Sequence, residues 1–349
     1  MTDLLSMTVE ELKTFLSDLG EPSYRASQIF AWLHTERVAS FDLMTNLPKT
    51  LRTKLKDKAV ITCLEGERVQ ESRIDKTKKV LLRLFDGNLI ESVLMKYKFG
   101  YSVCVSTQVG CRMGCRFCAS TIGGLIRNLT AAEILGEVYF MERHFGVAVS
   151  HVVLMGSGEP FDNYGEVVRF LRLITMKEGK NLSARHITLS TSGIPDRIRA
   201  FADEGLPVTL ALSLHAADQK TRSSLMPISV KYPLPEVLSA CDDYFRKTGR
   251  RVTYEYAVVQ GVNDSNEEAE KLSKLLKGKN AHVNLIPVNP VRERTLKRPD
   301  PERVSEFQKC LEKYGINATI RRELGADIDG ACGQLRAKAL GEEKRGEAD

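Results

Sequence analysis

The segment Gly110-Cys-Arg-Met-Gly-Cys-Arg-Phe-Cys118 carries three cysteines, Cys111, Cys115 and Cys118, in the spacing C-x3-C-x2-C. Three thiolates at this spacing can bind three irons of a four-iron cluster and leave the fourth iron without a protein ligand. Such an iron is free to bind a small molecule and to take part in its chemistry. The segment therefore predicts an open [4Fe-4S] cluster held by Cys111, Cys115 and Cys118.

Two other kinds of metal site agree less well with this segment. A structural zinc site needs four protein ligands, which usually arrive as two separated pairs, and no His or Cys follows at a distance that completes a local set of four. An electron-transfer ferredoxin would need a fourth cysteine nearby. The spacing favours the open cluster over structural zinc.

Composition sets the class of protein. With 349 residues, of which 42% are hydrophobic and 28% charged, the chain can bury a large core. Eight cysteines, three of them crowded together, indicate a metal site in a reducing compartment rather than a disulfide framework. The first residues lack a signal peptide pattern and no run reaches 18 apolar residues, so we expect a cytoplasmic protein without a membrane partner. The net charge of +6 permits a polyanionic partner but does not demand one.

From about Tyr101 onward, apolar strand patterns alternate with helical patterns. The predicted strands are Ser102–Ser106, His151–Met155, His186–Ser190, Val208–His215, Arg251–Val259 and His282–Pro287. The predicted helices between and after them lie near residues 130–145, 163–178, 195–204, 234–248, 265–277 and 301–314. Six such units predict an α/β fold in which a parallel sheet curls into a partial (β/α)6 barrel.

The remaining patterns divide the chain into four regions. Residues 1–60 predict a helical accessory domain that begins with a capping box at Thr8 and Glu11. Its basic residues form either a phosphate-contacting face or an ordinary solvated face; they are Lys49, Arg52, Lys54, Lys56 and Lys58. Residues 61–98 predict a β-hairpin linker with a turn at Asp86-Gly-Asn88, residues 99–340 the core, and residues 341–349 a disordered tail.

In a parallel barrel the active site lies at the carboxyl ends of the strands, where the cluster segment also falls. The second strand is followed by Met155-Gly-Ser-Gly-Glu-Pro160, in which we expect glycines to let the backbone approach a ligand and Glu159 to accept a hydrogen bond from an ammonium group. Other predicted strands end in small polar residues, namely Ser190, Ser213, His215 and Asn289. A lone histidine at a strand end is usually a structural hydrogen-bond partner, but several polar strand ends around one cluster predict a ligand site.

Several segments together closely resemble the RlmN/Cfr family of radical S-adenosylmethionine (SAM) RNA adenine methyltransferases. They are Cys104-Val-Ser-Thr-Gln-Val-Gly-Cys111, Gly156-Ser-Gly-Glu-Pro160, Leu189-Ser-Thr-Ser-Gly193, Ser213-Leu-His215, Leu225-Met-Pro227, Gly261-Val-Asn-Asp264, Asn284-Leu-Ile-Pro287 and Asp327-Ile-Asp-Gly-Ala-Cys-Gly-Gln334. Pro160 matches the RlmN branch, which methylates adenine C2, rather than the Cfr branch, which methylates C8. Ser157 departs from the methionine that is usual in both branches.

The resemblance implies a radical SAM enzyme that methylates adenine C2 in the peptidyl-transferase region of 23S rRNA and in tRNA next to the anticodon. Two SAM molecules are used, and Cys332 carries the methyl group as S-methylcysteine. Glu91 is implied as the proton acceptor, and Cys104 as the thiol that resolves the intermediate through a transient disulfide with Cys332. The SAM contacts implied by the same resemblance are Gly158, Glu159, Ser190, Ser213, Leu214, His215 and Asn289. An electron donor such as flavodoxin or ferredoxin is also implied, and we expect a monomer.

Two rival interpretations stay open at this point. One is a Cfr-like enzyme that methylates adenine C8. Only Pro160 favours the RlmN branch over this alternative. The other is a non-catalytic RNA-binding assembly factor whose metal is only structural. It predicts a colourless zinc protein that tolerates replacement of Cys332.

Overall fold

The computed structural model describes residues 1–291, 293–328 and 335–336. Cys332 and the tail at 341–349 lie outside the described residues. Among the helices that are described, none is long and apolar enough to cross a membrane.

The N-terminal region is helical, as the sequence predicts. It contains α1 (Val9–Asp18), α2 (Arg25–His34) and α3 (Lys49–Lys58), and two short strands, β1 (Thr2–Asp3) and β2 (Ala59–Val60), pair in parallel beside them. The predicted capping box is present, because the Thr8 hydroxyl accepts from the Glu11 N–H and the Glu11 carboxylate accepts from the Thr8 N–H. Apolar side chains of these helices belong to the same buried core as the barrel.

One mixed sheet of ten strands dominates the molecule. In chain order its strands are β3 (Glu65–Glu71), β4 (Lys78–Arg83), β5 (Leu89–Tyr97), β6 (Gly100–Cys104), β9 (Val149–Leu154), β10 (Ile187–Thr191), β11 (Thr209–Ser213), β12 (Val252–Val258), β13 (Ala281–Pro287) and β14 (Ala318–Ile320), and they lie side by side in that order. From β6 to β14 all neighbours are parallel. Between β6 and β9, β7 (Gln108–Gly110) and β8 (Leu125–Asn128) form a separate antiparallel pair.

Helices connect the parallel strands and shield them from solvent. They are α4 (Ala131–Phe145), α5 (Tyr164–Thr175), α6 (Pro195–Asp203), α7 (Gln219–Leu225), α8 (Leu234–Thr248), α9 (Asn266–Leu276) and α10 (Pro301–Lys313). The predicted alternation is confirmed, with six barrel strands from β6 to β13 and a short seventh strand, β14. The sequence pattern did not predict α7, which has only seven residues and is recognisable mainly by its N-cap, Asp218.

The hairpin at β4 and β5 is not an independent linker but a continuation of the barrel sheet. β5 pairs antiparallel with β6, and Val93 lies opposite Cys104 in the register. β3 adds a further antiparallel strand at the outer edge, where its mostly charged residues are exposed. A strand with so little apolar alternation gives no clear period in the sequence.

Candidate active site at the mouth of the barrel

A cavity of about 500 Å³ opens at the carboxyl ends of the parallel strands. Its lining includes ten of the residues that the sequence proposed for the site, namely Cys104, Cys111, Cys115, Cys118, Gly158, Glu159, Ser190, Ser213, His215 and Asn289. Glu91 and Leu214 do not line it. The fold therefore brings most of the proposed site residues, which are spread over nearly two hundred positions of the chain, to one cavity.

Backbone hydrogen bonds fix the course of the cysteine loop. The Cys111 N–H donates to the Gly124 carbonyl at 2.9 Å, and the Arg116 N–H donates to the Leu225 carbonyl at 2.9 Å. Gly110 enters the loop with φ 78°, and a Cβ at this position would collide with the Gly124 carbonyl oxygen. The hydroxyl of Thr121 donates to the carbonyls of Cys115 and Cys118, which closes the loop after the third cysteine.

The three thiols lie in apolar surroundings. Their neighbours in this buried group include Met113, Leu225, Met226, Val259 and Val288. Burial raises the pKa of Cys111 to about 12 and raises the pKa of Cys115 well above its usual value. Without iron these thiols are neutral at physiological pH, so assembly of a metal centre must release their protons.

The donor set fits a [4Fe-4S] cluster that keeps one iron open. Three soft sulfur ligands come from one loop and line the cavity, and each would bind a different iron. Within residues 1–291, 293–328 and 335–336, no group of three or more His, Cys, Asp or Glu side chains has the geometry to hold a single metal ion. Cys104 also lines the cavity, and it belongs to a separate apolar group with Val93 and Met95.

The turn after β9 packs against the segment that leads into the cysteine loop. A Cβ at Gly156 would lie 2.6 Å from the Val105 carbonyl oxygen, and a Cβ at Gly158, where φ is 113°, would lie 2.7 Å from Thr107 Oγ1. We expected these glycines to allow close approach of a ligand, but the backbone they accommodate is that of the protein itself. The hydroxyl of Ser157 is buried and shares a 2.9 Å hydrogen bond with Ser120, just beyond the loop.

Glu159 ties this turn to the end of β10. Its Oε1 accepts from the Thr191 hydroxyl at 2.7 Å and from the Phe161 N–H at 3.0 Å, and its Oε2 accepts from the Ser192 N–H at 2.6 Å. Burial raises the pKa of Glu159, while these hydrogen bonds favour the charged form. The expected ammonium contact would therefore have to use the acceptor capacity that three protein donors leave.

Ser190, Ser213, Leu214 and His215 lie at the ends of β10 and β11. The hydroxyl oxygens of Ser190 and Ser213 are 3.4 Å apart and both residues line the cavity. Leu214 is completely buried in the core, and its N–H donates to the Glu255 carbonyl at 3.0 Å. Through its side chain, Leu214 therefore acts on the site only by packing.

His215 is held in one tautomer and one orientation. It adopts the left-handed conformation with φ 57°, which a non-glycine residue keeps only where its surroundings fix it. Its Nδ1 accepts from the Ala257 N–H at 2.8 Å, and the Phe117 ring lies edge-on with ring centroids 4.7 Å apart. Burial lowers its pKa to about 3, so the ring is neutral and its proton is on Nε2. Nε2 is thus a hydrogen-bond donor at the cavity.

Asn289 follows β13 and lines the opposite side of the mouth. Its Oδ1 accepts from Arg298 Nη1 at 3.4 Å, and Arg298 also forms a two-pronged ion pair with Glu323 at 2.7 and 2.8 Å. The amide nitrogen of Asn289 has no recorded hydrogen bond to the described part of the chain. This arrangement leaves a donor for a polar ligand at the mouth.

Cys104 and Glu91 lie on neighbouring strands of the sheet. Cys104 ends β6 and lines the cavity, and it is opposite Val93, two residues from Glu91 on β5. Glu91 is only 4% exposed, although a glutamate in a hairpin strand usually faces solvent. Its Oε2 lies 3.0 Å from Lys79 Nζ, and its Oε1 accepts from the Arg336 N–H. Glu91 therefore lies beyond the cavity lining, beneath the C-terminal segment.

The described residues on both sides of Cys332 contact this region. Ile328 lines the cavity, and Leu335 is buried against Leu81 and Leu89 of the hairpin. All seven cysteines other than Cys332 are free thiols, and Cys63, Cys241 and Cys310 lie apart from the site lining.

Sequence reasoning did not single out five charged residues that line the cavity, among them Glu255, Arg321 and Arg322. Glu255 on β12 is 4% exposed, and one of its oxygens accepts from Asn284 Nδ2 at 2.8 Å. Burial raises its pKa, while the positive charge of Arg321 lowers it. Arg321 and Arg322 follow β14 and are exposed at the rim. A glutamate at an inward position of a buried parallel strand was the available signal for Glu255.

Comparison with known proteins agrees with this geometry. Residues 2–61 match the ribosomal RNA large subunit methyltransferase N-terminal domain, and residues 105–276 match the radical SAM superfamily, whose cofactors are a [4Fe-4S] cluster and SAM. A radical SAM methyltransferase from Sphaerobacter thermophilus, known from its crystal structure, is similar with a TM-score of 0.92 and 45% identity, over 96% of this chain and 99% of that one. The predicted radical SAM fold and both predicted cofactors are thereby confirmed.

Two relatives carry the name probable dual-specificity RNA methyltransferase RlmN. The protein of Lachnoclostridium phytofermentans is 54% identical over 96% of this chain and 94% of its own length. That of Symbiobacterium thermophilum is 55% identical over 96% of this chain and 91% of its own length. Because this similarity extends over both matched domains and nearly the whole chain, the protein belongs to the RlmN family of radical SAM dual-specificity RNA methyltransferases.

Proposed function

We propose that this enzyme methylates C2 of adenine in the peptidyl-transferase region of 23S rRNA and in tRNA beside the anticodon. Adenine C2 is an electron-poor carbon without a nucleophilic lone pair, so ordinary methyl displacement from SAM does not work there. When bound, a reduced [4Fe-4S] cluster and SAM supply one-electron chemistry that overcomes this limit. The three loop cysteines would hold the cluster.

The observation that carries the proposal is the shared cavity. Its lining combines the three cluster thiols, a further buried thiol at Cys104, and Ile328 from the segment that precedes Cys332. Cysteines that only bind a structural metal would not need a separate thiol in the same cavity. This combination supports a role for thiol chemistry next to the cluster.

In the proposed mechanism, Cys332 accepts a methyl group from a first SAM and carries it as S-methylcysteine. The one-electron chemistry that the cluster and a second SAM would supply removes one hydrogen atom from this methyl group, and its carbon then bonds to C2 of the adenine. Glu91 takes the C2 proton, and the unpaired electron that remains would return to the cluster. Cys104 then attacks the Cys332 sulfur, which breaks the bond between that sulfur and the transferred carbon, and this carbon takes up a proton to become the new methyl group. The resulting Cys104–Cys332 disulfide is reduced by cellular thiols before the next turnover. Ser190, Ser213, His215 and Asn289 hold SAM by hydrogen bonds, and Gly158 and Glu159 complete its site.

Other parts of the chain have supporting roles in this proposal. Residues 1–60 act as the RNA-binding accessory domain, and the strands within residues 61–98 extend the sheet of the core at 99–340. A flavodoxin or ferredoxin reduces the cluster. The enzyme works as a monomer in the cytoplasm. Adenine is unpaired or flipped out of its stack when it enters the cavity.

The test is an anaerobic assay. The enzyme with a rebuilt cluster is mixed with SAM, a reductant and unmodified 23S rRNA or tRNA, and the digested RNA is analysed by mass spectrometry against standards. We expect 2-methyladenosine, and its loss in Cys332→Ala and Cys118→Ala but not in Cys310→Ala. Formation of 8-methyladenosine would show the Cfr-like activity instead. The absence of any methylated base would favour the interpretation as a non-catalytic assembly factor.

A further inference from the structure

Two arginines at the rim of the cavity have unusual surroundings. Arg321 and Arg322, called the rim arginines below, directly follow β14 and line the mouth. The Arg321 N–H donates to the Leu285 carbonyl at 2.8 Å, so the backbone continues the pairing with β13. Three residues further on, the Gly325 N–H donates to Asp75 at 2.8 Å. The backbone that carries the rim arginines is thus held on both sides.

Within the described part of the chain, no ion pair neutralises the charges of the rim arginines. Across the described chain, neither guanidinium group has a carboxylate oxygen within salt-bridge distance, and the adjacent Glu323 is bound to Arg298. Glu255 acts on Arg321 only from a longer distance. Tyr97 lines the same cavity, and the positive charges of both arginines act to lower the pKa of its phenol. Two exposed cations with a fixed backbone therefore line the cavity.

The basic face of α3 is different. Lys54 forms an ion pair with Glu21 at 2.7 Å, Lys56 forms one with Asp42 at 2.7 Å, and Arg52 donates to the Asp42 carbonyl at 2.8 Å. Several of the basic side chains that the sequence suggested for phosphate contacts thus already bind acceptors within the accessory domain. Phosphate groups close to the active site need another partner.

We propose that the rim arginines form a phosphate-binding site, which holds the phosphodiester groups of the RNA strand beside the nucleotide that enters the cavity. A guanidinium group offers two parallel N–H donors that match a phosphate. When a base turns into an enclosed site its phosphates stay outside, at the entrance. The inference deepens the proposed function and rests on its RNA substrate.

The test compares RNA binding by variants of the holoenzyme. Arg321→Gln/Arg322→Gln removes the two rim charges. Arg185→Gln/Arg251→Gln, the matched control, removes two exposed charges next to β10 and β12 at the opposite, amino ends of the strands. Fluorescence anisotropy with a labelled RNA hairpin that contains the target adenine gives the dissociation constant between about 50 and 200 mM salt. Circular dichroism checks that each variant is folded.

For the rim variant we expect a dissociation constant at least about tenfold higher, and a slope of log affinity against log salt that falls by about one to two. Arg321→Lys/Arg322→Lys keeps the charge but loses the paired donors, so its affinity should be intermediate and its salt slope close to that of the unmodified protein.

Equal affinity and salt slope in the rim and control variants would overturn the inference. The inference would also be overturned if the rim variant lost affinity for SAM but not for RNA, because the arginines would then bind the SAM carboxylate. The result is separable from the proposed function: if the unmodified protein binds RNA through the rim arginines but yields no methyladenosine, the proposed reaction fails and the phosphate site stands.

Discussion

Asp327 accepts a 2.6 Å hydrogen bond from the hydroxyl of Ser72, a residue 255 positions away in the sequence. Its second carboxylate oxygen accepts from the Arg73 N–H at 2.8 Å. Together with the Asp75–Gly325 contact, these bonds hold the C-terminal segment against the turn between β3 and β4. This segment is the last described part of the chain before Cys332.

Replacement of Asp327 by alanine should therefore slow RNA methylation. Because reactive groups that are misplaced by about 1 Å lose roughly a hundredfold in rate, we expect a loss of about 10- to 100-fold. Cluster content should stay normal, since Asp327 is distant in sequence from the cysteine loop and does not line the cavity. The assay counts methylated adenosine per minute and iron per chain. Asp57→Asn, an exposed change on α3, is the control; equal rates in both variants would contradict the prediction.

The buried ion pair between Lys79 and Glu91 makes a prediction about stability. Their side chains are 0% and 4% exposed, with Nζ and Oε2 3.0 Å apart. Lys79→Met leaves a buried carboxylate without its cation, and this should lower the free energy of unfolding by about 3–5 kcal/mol. Lys54→Met breaks an exposed pair with Glu21 and should cost no more than about 1 kcal/mol. Urea unfolding measures the free energy of unfolding of both variants. Similar losses in the two variants would contradict the prediction that the buried pair contributes more.

We expect the iron content of the protein to depend on the cysteine loop. Cys115→Ala removes one of the three proposed cluster ligands and should abolish the stable four-iron cluster, together with its visible absorbance. Cys310→Ala changes a half-buried thiol on α10 that does not line the cavity, so it should keep normal iron and sulfide content. Both variants are reconstituted anaerobically and analysed for iron per chain. A full cluster in Cys115→Ala would mean that another residue supplies the ligand.

Glu159→Gln tests whether the carboxylate is needed as an acceptor. Both of its oxygens accept hydrogen bonds from protein donors, so the amide of glutamine would turn its own N–H groups toward a donor. One buried donor then loses its partner, which should cost about 1–3 kcal/mol in the free energy of unfolding. Urea unfolding at neutral pH gives the value. Unchanged stability would indicate that Glu159 is protonated in the folded protein.

We expect burial of His34 to lower the free energy of unfolding of the protein in acid. His34 is completely buried, its Nδ1 is 3.0 Å from the Tyr139 hydroxyl, and burial lowers its pKa to about 3. The unfolded chain binds a proton near pH 6.5, but the folded chain does not until about pH 3. Stability from this residue is therefore complete above pH 6.5 and declines below it, by about 2 kcal/mol at pH 5.

The measurement is urea unfolding at pH 7 and pH 5, with His34→Gln as the comparison. The variant should lose stability at pH 7, but its further loss on going to pH 5 should be smaller by about 2 kcal/mol. An equal pH dependence in both proteins would mean that His34 is accessible to protons in the fold.

Much of the fold could be predicted because the signals were local. The capping box at Thr8 and Glu11 and the six alternating strand–helix units follow from residue spacing alone, and each lies close to its predicted range. β3 and α7 were missed because a charged edge strand and a seven-residue helix leave little periodicity. The hairpin was recognised, but its pairing with β6 depends on contacts between strands that no local pattern records.

The cavity illustrates the same division. Three cysteines in one loop and polar residues at strand ends identified part of its lining. The roles of single residues depended on partners from other elements. Glu159 is hydrogen-bonded to the end of β10, and Glu91 is buried with Lys79. Arg321 and Arg322 form no ion pair with any residue that the structure describes. Burial and pairing are properties of the assembled core, so they could not be read from the residues' own neighbours.

The sequence by itself determined the barrel and the family and predicted the cluster ligands, because each depends on residue types at short, regular spacing. Only the tertiary structure decided which charged side chains and thiols line the cavity, and how the turn after β3 holds the segment before Cys332. These depend on distances between residues up to 255 positions apart, which are set only when the sheet and its helices pack together.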